Sequence, residues 1–224
     1  PAEDGSADLS MLKAASRSIG DTLAGSGRSH VVAVKSTVPP GTTDRVVKPL
    51  VLEHAGQSDI GFAMNPEFLR EGRAVQDFLH PDRIVIGCDD SRSFDTVASS
   101  YRGIDAPIFR TGIVAAEMIK YASNAFLATK ISFSNEIGNI CKRLGIDVYE
   151  VMKGVALDHR ISPHFFDDGA GFGGSCFPKD VSALIHLARD LGEDPVLLRS
   201  VMDVNERQPL RMVSLLEQRI GDLR

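Results

Sequence analysis

The chain has 224 residues, 43% of them hydrophobic, which is enough to bury a core as one large domain or two small ones. It carries 25 lysine and arginine residues, dispersed along the sequence, against 30 aspartate and glutamate residues, for a formal net charge of −5. This balance argues against nucleic acid as a partner, and no apolar run approaches the roughly 20 residues of a membrane span.

The cysteines and histidines argue against a disulfide framework and against a metal site. The chain has three cysteines, which is an odd number, and they lie far apart in the sequence. They form no C-x-x-C pair, and no histidine lies at ligand spacing from them. Such usage is typical of the reducing cytoplasm. The histidines at 30, 54 and 80 are expected to be structural. The first residues do not resemble a signal peptide, and a start without methionine predicts a chain cut from a longer protein.

Residues 1 to about 110 alternate between helix and strand patterns. Helices are predicted at approximately 8–24, 42–55 and 92–102. Short apolar runs bounded by turn residues predict buried strands at 31–34, 60–64, 83–86 and 107–109. This βαβ rhythm predicts a parallel sheet.

Two segments directly follow predicted strands, where open α/β sheets bind ligands. They are residues 35–43, which contain Thr37, and residues 65–72, which contain Glu67 and Glu71. Both have a structural alternative. Thr37 could simply end a strand, and Asn65-Pro66 could be a helix N-cap followed by proline, with the two glutamates as ordinary first-turn acids.

The pattern becomes helical from Ile113 onward. Apolar residues keep a period near 3.6 as far as Gly145, which predicts one long helix of the kind that forms a domain spine or a subunit interface. Lys120 and Asn124 are four residues apart and share one face of it, which could also be a solvated face. The change predicts two parts, an α/β part over 1–111 and an all-helical part over 112–224.

Three further features lie beyond the long helix. Asp147 is predicted to cap a short helix, and Pro195 to open a second long helix that reaches the C-terminus. Arg160 lies in the loop that follows the short helix and, by itself, indicates only a surface charge.

The segment Gly171-Phe-Gly-Gly-Ser-Cys-Phe-Pro-Lys-Asp180 combines a thiol, an ammonium group and a carboxylate behind glycines. Glycine permits a left-handed backbone and a close approach of ligand to main chain. Pro178 fits the first turn of a helix, so Cys176 lies just before a helix N-terminus, where the dipole and Lys179 favour the thiolate. The alternative is a buried structural cysteine beside a tight turn.

The same region matches G-x-G-x-x-G, the dinucleotide-binding pattern, over residues 169–174. A dinucleotide-binding loop must follow a buried strand, but here Asp167 and Asp168 stand where apolar residues are required. No acidic residue ends a second strand about twenty residues further on. The pattern is therefore not interpreted as a pyrophosphate loop.

Four blocks, in this order and spacing, resemble the UDP-glucose/GDP-mannose dehydrogenase family: 36–41, 65–72, 117–124 and 171–180. The resemblance runs through essentially the whole chain but covers only the middle of the family's architecture. It implies the rear half of a parallel Rossmann-like sheet, which is the C-terminal part of an NAD-binding domain, and then a helical dimerisation domain. The family's glycine fingerprint and its C-terminal nucleotide-binding domain would lie outside these residues.

The resemblance implies an NAD-dependent oxidation of the C6 alcohol of a nucleotide sugar to a carboxylate by two hydride transfers. A nucleophilic cysteine retains the reactive aldehyde as a thiohemiacetal, which is oxidised to a thioester and then hydrolysed. Cys176 matches this nucleophile. Lys120 and Asn124 match substrate-binding groups that stabilise negative oxygen at C6, and Asp180 matches the partner of a catalytic water.

Further roles are implied position by position. Glu67 resembles the base for thioester hydrolysis, and Thr37 a catalytic position that organises water and, with Glu71, the cofactor. Lys179 matches a cofactor-side contact. Arg160 matches a residue that crosses the dimer interface to the neighbouring subunit's sugar nucleotide. The other matched substrate-binding positions are Phe68, Leu69, Phe172 and Gly173.

The segment Asp158-His-Arg-Ile161 resembles the UDP-glucose branch of the family more than the GDP-mannose branch. The expected reaction therefore converts UDP-glucose to UDP-glucuronate, with GDP-mannose or a UDP-N-acetylhexosamine as alternative substrates. A second alternative is a non-catalytic dimerisation core. Because the helix from Ile113 has apolar residues on more than one face, a homodimer is expected. The expected location is the cytoplasm, and no metal is expected.

Overall fold

The computed structural model describes residues 5–56 and 59–221, which form two compact units. The first comprises residues 7–122, and the second comprises residues 123–221 together with residues 5 and 6. The division falls inside one long helix, and the two units are described separately.

The first unit is an α/β unit. Its elements in chain order are α1 (Ser10–Leu23), β1 (His30–Val34), a π-helical segment (Thr43–Val47) running into α2 (Lys48–Ala55), β2 (Ile60–Met64), α3 (Ala74–Leu79), β3 (Ile84–Cys88), α4 (Ser91–Ser99), β4 (Ile108–Thr111) and the first turns of α5 (Ile113–Leu144). The four predicted strands and three predicted helices are confirmed within a few residues.

The sheet has the strand order β1-β2-β3-β4, and its pairing is only mostly parallel. β1 pairs with β2 and β3 with β4 in parallel, as predicted. β2 and β3 are antiparallel, with Ala63 opposite Cys88 and Met64 opposite Gly87. The all-parallel expectation is wrong at this pair, because 19 residues containing only the short helix α3 join the two strands, without a long crossover helix.

Both faces of the sheet are buried. Alternate side chains of β2 and β3 enter two separate cores, as the period of two along a strand requires. One core contains Phe62, Met64 and Val85 together with residues of α2 and α5, and the other contains Ala63, Ile84 and Ile86 together with residues of α4.

The segment after β2 differs from one sequence alternative. Residues 65–70 have no regular structure, residues 71–73 form a turn, and α3 begins only at Ala74. Asn65 is therefore not a helix N-cap, and Glu67 and Glu71 are not first-turn acids. α3 itself was not predicted, because six residues are too few to display a helical period.

The described residues of the second unit are helical, with loops between the helices. It contains the rest of α5, then α6 (Val148–Ala156), α7 (Phe177–Asp190) and α8 (Val196–Ile220). The Asp147 side chain accepts a hydrogen bond from the Tyr149 amide, and Pro195 precedes α8. The predicted long helix, short capped helix and C-terminal helix are all confirmed.

The second unit has two cores. One joins Ala125 and Ala128 of α5 to Val181 and Ile185 of α7 and Val201 of α8. The other joins Cys141 of α5 to α6 and to Phe166. Among the described residues, no helix is both long and apolar enough to cross a membrane.

Candidate active site

In the first unit, the carboxyl ends of β1 and β2 lie side by side because these strands are parallel. The amide of Asn65, the first residue after β2, donates to the Val34 carbonyl at 2.8 Å. The Asn65 side chain is buried, and its Nδ2 donates to the Val85 carbonyl of β3 at 2.8 Å. Two strands therefore fix the start of the segment that carries Glu67.

A cluster of three polar side chains completes the anchoring of Asn65. Its Oδ1 accepts hydrogen bonds from the Tyr101 hydroxyl and from the Lys35 ammonium group, the latter at 3.3 Å. Lys35 also donates to the Tyr101 hydroxyl at 2.9 Å. Asn65 and Tyr101 are buried, so these contacts replace water that the polar groups have lost.

Lys120, on α5, is buried and is paired with Glu67. Its Nζ lies 3.3 Å from Glu67 Oε1 and 5.4 Å from the centroid of the Phe68 ring. The alternative of a solvated helix face is wrong for Lys120, which is only 5% exposed. The other carboxylate oxygen of Glu67 accepts from the Leu69 amide at 2.6 Å. The structure thus brings Glu67, Phe68 and Lys120 together.

A cavity of about 80 Å³ adjoins this group. The Arg83 guanidinium stacks over the Phe68 ring at 4.0 Å. The residues that line the cavity include Lys35, Asn65, Glu67, Phe68, Leu69, Arg83 and Tyr101. Thr37, half-buried, and Glu71, exposed, follow the two strand ends and could hold a cofactor at this edge of the sheet.

Glu117 is a buried carboxylate to which sequence reasoning gave no role. It lies on α5 one turn before Lys120 and accepts hydrogen bonds from the amides of Gly41 and Thr43, the latter at 2.8 Å. Burial raises the pKa of Glu117, although these hydrogen bonds oppose the shift. Glu117 thus ties the start of the π-helical segment to the helix that carries Lys120. Its position about two turns before Asn124 on the same helix was visible in the sequence, but its main-chain partners were not.

In the second unit, Cys176 lies at the N-cap of α7 and is exposed. Its Sγ lies 3.7 Å from the Ser175 hydroxyl oxygen. Pro178 is in the first turn of α7, as predicted. The alternative of a buried structural cysteine is wrong, because the buried thiols are those of Cys88 and Cys141.

Asp180, one turn into α7, lies at the centre of a polar cluster with Asn124 and Lys179. It is only 2% exposed, and its Oδ2 accepts from Asn124 Nδ2 at 2.6 Å. The Lys179 ammonium group pairs with its Oδ1. Asn124 is buried, so a solvated face is wrong for it as well. The Lys179 ammonium group is thus paired with the buried Asp180 carboxylate.

The glycine loop, residues 169–175, precedes Cys176. No strand directly precedes it among the described residues, so the loop does not have the strand–loop–helix setting of a pyrophosphate loop. Phe172 is buried and packs edge-on against Phe177, with ring centroids 5.9 Å apart. Gly173 is exposed, with open space around the position of a side chain.

Arg160 is exposed and folds back onto Asp158, with Nη2 2.5 Å from Oδ2. This contact lowers the pKa of Asp158. Lys130 of α5, which is buried, donates to the carbonyls of Ile161 and Ser162, both at 3.2 Å. Its burial lowers its pKa. Lys130 was not identified from the sequence, because its partners are carbonyls, which any residue has.

Across residues 5–56 and 59–221, no group of three or more His, Cys, Asp or Glu side chains could hold a metal ion.

Two models of one family match the chain. Residues 1–105 match the NAD binding domain of the UDP-glucose/GDP-mannose dehydrogenase family, and residues 114–207 match its central domain. The chain belongs to the UDP-glucose/GDP-mannose dehydrogenase family. NAD is the cofactor that this membership supports.

Similar proteins fall on both branches of the family. The chain is 49% identical to the UDP-glucose 6-dehydrogenase AglM of Haloferax volcanii, over 97% of this chain and 52% of the relative. It is 42% identical to the GDP-mannose 6-dehydrogenase of Azotobacter vinelandii, over 96% and 50%. A UDP-glucose dehydrogenase structure from Pyrobaculum islandicum matches with a TM-score of 0.97 and 51% identity, over 100% of this chain and 52% of that one. The chain spans about half the length of these relatives.

Proposed function

We propose that the full-length protein, meaning a polypeptide of the relatives' length that carries this chain, oxidises UDP-glucose to UDP-glucuronate with NAD. The observation that carries the proposal is the exposed Cys176 at the start of α7, one turn before the buried Asp180 with its partners Asn124 and Lys179. An exposed thiol at a helix N-terminus is accessible to a bound substrate, which supports covalent catalysis.

NAD, when bound, would supply the hydride acceptor for the two oxidations of C6. In the first step the C6 hydroxyl proton passes through a water to Asp180, and C6 becomes an aldehyde carbon. The Cys176 thiolate adds to this carbon, forming a C–S bond, and the oxygen takes up a proton. Loss of that proton and of the second hydride gives a thioester. Attack by water breaks the C–S bond, releases the carboxylate and returns the thiolate.

The remaining residues act on the oxygen, the water and the cofactor. Lys120 and Asn124 stabilise negative charge on the C6 oxygen. Glu67, whose Oε1 lies 3.3 Å from the Lys120 Nζ, takes a proton from the hydrolytic water. Thr37 orients water. The cofactor would be held by Thr37, Glu71 and Lys179, and the substrate by Phe68, Leu69, Phe172, Gly173 and Arg160, in addition to Lys120 and Asn124.

Substitution of two residues tests this mechanism in the full-length protein. Cys176→Ser should still bind substrate, but it should lose carboxylate production by at least several orders of magnitude, because a hydroxyl barely ionises near neutral pH. Glu67→Gln should allow both oxidations but slow hydrolysis, so that intact-mass spectrometry finds a thioester on Cys176. The double variant is the control and should carry no adduct. Near-normal glucuronate formation by Cys176→Ser would disprove the covalent mechanism.

UDP-glucose is preferred as substrate because of the similarity of Asp158–Ile161 to that branch. The relatives include both UDP-glucose and GDP-mannose 6-dehydrogenases at similar identity. Rates of NADH formation with UDP-glucose, GDP-mannose and a UDP-N-acetylhexosamine distinguish the three. The largest kcat/KM should be that for UDP-glucose, and equal values for the three sugars would overturn this preference.

The 224-residue chain by itself is expected to be inactive and to have the character of a dimerisation core. No G-x-G-x-x-G loop follows a strand among its described residues, so the usual pyrophosphate site is missing. Calorimetry should therefore detect no micromolar binding of NAD or UDP-glucose to this chain. Measurable micromolar binding would overturn this expectation. The division into an NAD-domain part over 1–111 and a helical part over 112–224 is retained as a proposal.

We further propose a homodimer built on α5. Exposed apolar side chains recur along its second-unit portion with a spacing of seven, then four: Phe126, Phe133, Ile140 and Leu144. Such a stripe on a long helix supports a two-fold interface. Arg160 would then reach the partner's substrate. A monomer in sedimentation at tens of micromolar would disprove this.

The three unpaired thiols support a cytoplasmic location.

A further inference from the structure

The glycine loop has no regular structure, yet side-chain amides bind its main chain at two points. At the first point, the Gly169 amide donates to Asn135 Oδ1 of α5 at 2.8 Å. The Gly169 carbonyl accepts from Gln208 Nε2 of α8, also at 2.8 Å. Gln208 is buried, and its own oxygen accepts from Asn139 Nδ2 at 2.9 Å. Both polar groups of Gly169 thus have partners on helices.

The second point is Phe172, which is bound by Asn205 of α8 alone. The Phe172 amide donates to Asn205 Oδ1 at 2.7 Å, and the Phe172 carbonyl accepts from Asn205 Nδ2 at 2.9 Å. One side chain therefore satisfies both main-chain groups of one residue, as a neighbouring β-strand would. Asn205 and Gln208 are three residues apart on α8 and so share one side of that helix.

The residue next to Phe172 is adapted to this contact. Gly171 has φ +97°, a conformation that disfavours residues with a side chain. A Cβ atom at Gly171 would lie only 2.6 Å from Asn205 Oδ1. Close approach of the loop to α8 therefore requires glycine at this position.

The Phe172 ring is held as firmly as its main chain. It is 9% exposed and belongs to the core that contains Ala125, Val181 and Val201. With ring and main chain both fixed, the direction in which Gly173, Gly174 and Ser175 leave toward Cys176 is set at Phe172. Under the proposed function, this segment adjoins the bound nucleotide sugar.

We propose that Asn205 is a positioning residue for the glycine loop, acting through Phe172 on the segment that meets the nucleotide sugar. This inference rests on the proposed function. Without Asn205, both polar groups of Phe172 lose their protein partners, and the loop samples arrangements that cannot bind substrate. Apparent affinity falls in proportion to the competent fraction, while the chemical steps in the bound complex are unchanged.

The kinetic test uses the full-length protein and two variants. Asn205→Asp keeps the acceptor for the Phe172 amide but opposes the Phe172 carbonyl with a second oxygen, and Asn205→Leu removes both contacts at similar volume. KM for UDP-glucose should rise about tenfold in Asn205→Asp and about a hundredfold in Asn205→Leu, since each lost contact is worth about one factor of ten. Values of kcat and of KM for NAD should stay within about threefold. The control is Glu206→Gln, an exposed neighbour on α8, which should match the parent protein.

A second measurement separates this inference from the proposed function. Amide hydrogen exchange at Phe172 should be faster in Asn205→Asp and Asn205→Leu than in the parent, with exchange in the α7 interior unchanged. Unchanged exchange at Phe172 would overturn the proposal, as would faster exchange with unchanged KM, or a fall in kcat without a rise in KM. If the parent protein oxidises no nucleotide sugar, the proposed function fails, and exchange at Phe172 alone decides whether Asn205 holds the loop.

Discussion

The two loops that carry the candidate residues are held in different ways. Residues 65–70 leave the end of β2, and the cluster that fixes them includes an ammonium group, a phenol and, beyond it, the ion pairs of Glu67 and Arg70. The glycine loop lies between helices, and its main chain is fixed by the neutral amides of Asn135, Asn205 and Gln208. The first arrangement contains groups that titrate and are screened by salt, whereas the second contains none.

The comparison teaches how an irregular segment acquires a defined conformation. A strand supplies main-chain partners directly, as the Val34 carbonyl of β1 does for the Asn65 amide at the start of the loop after β2. A loop between helices has no such neighbour, because helix main chains are already internally bonded. Side-chain amides, which both donate and accept, then take the place of a strand.

The largest effect is expected for Gly171→Ala. The left-handed backbone and the clash with Asn205 should together destabilise the second unit by about 3 kcal/mol. Urea unfolding followed by circular dichroism measures this. Gly173→Ala is the matched control, because a Cβ there meets open space, and it should stay within about 0.5 kcal/mol. Equal effects of the two substitutions would mean that the glycine loop is not held against α8.

A smaller loss is expected in the first unit for Tyr101→Phe. Removal of the hydroxyl leaves Lys35 and Asn65 in contact, so the cost should be about 1–2 kcal/mol in the same unfolding experiment. Tyr149→Phe is the control, because its exposed hydroxyl is 3.4 Å from the Asp168 carbonyl and its loss should cost almost nothing. If Tyr101→Phe were as neutral as the control, the polar cluster would not anchor Asn65.

Glu117 should make the first unit's stability depend on pH. Its pKa is raised in the folded state, so between its usual value of 4.5 and the raised value the folded protein binds more protons than the unfolded one. Stability contributed by Glu117 is therefore fully present below this window and decreases as pH rises through it. The unfolding free energies of the parent and Glu117→Gln should be measured from pH 4 upward. The value for the parent should decrease relative to that for Glu117→Gln as pH rises, so that the two curves converge. Parallel curves would contradict a raised pKa.

The smallest effect concerns the ion pair between the exposed Arg70 and the half-buried Asp77. Contacts with Arg70 lower the pKa of Asp77 to about 2. The carboxyl resonance of Asp77 in NMR should titrate near that pH, and in Arg70→Gln it should move back toward 3.8. Because the folded pKa is depressed, the contribution of this pair to stability is present above about pH 3.8 and is lost as pH falls toward 2. An unchanged midpoint in Arg70→Gln would refute the assignment of the shift to Arg70.

Much of the fold could be predicted because it is encoded in local periodicity. The strands, α5 and the capped helix α6 all follow from apolar spacing and from residues such as Asp147 and Pro195. The antiparallel pairing of β2 with β3 could not be predicted, because a short apolar run has the same pattern in either direction. The nature of Asn65 was also ambiguous, since Asn-Pro is as typical of a helix start as of a strand end.

The candidate site was predictable where the chemistry is rare and the residues lie close in sequence, as for Cys176, Lys179 and Asp180. The supporting residues were not. Glu117, Asn205 and Gln208 bind main-chain groups that are distant in sequence, and a main-chain amide has no signature in the residue type that carries it. Tertiary amide contacts of this kind become visible only once helices are placed in space.

The uneven exposure of the three thiols has a practical consequence. Cys88 and Cys141 are buried, and burial raises the pKa of Cys88, which further lowers its content of reactive thiolate. Cys176 alone is exposed among them. Among these three thiols, a maleimide dye or a spin label should therefore attach at Cys176. In the full-length protein, protection of Cys176 by an added nucleotide sugar, read by peptide mass spectrometry, would then report occupancy of the site even in preparations that show no turnover.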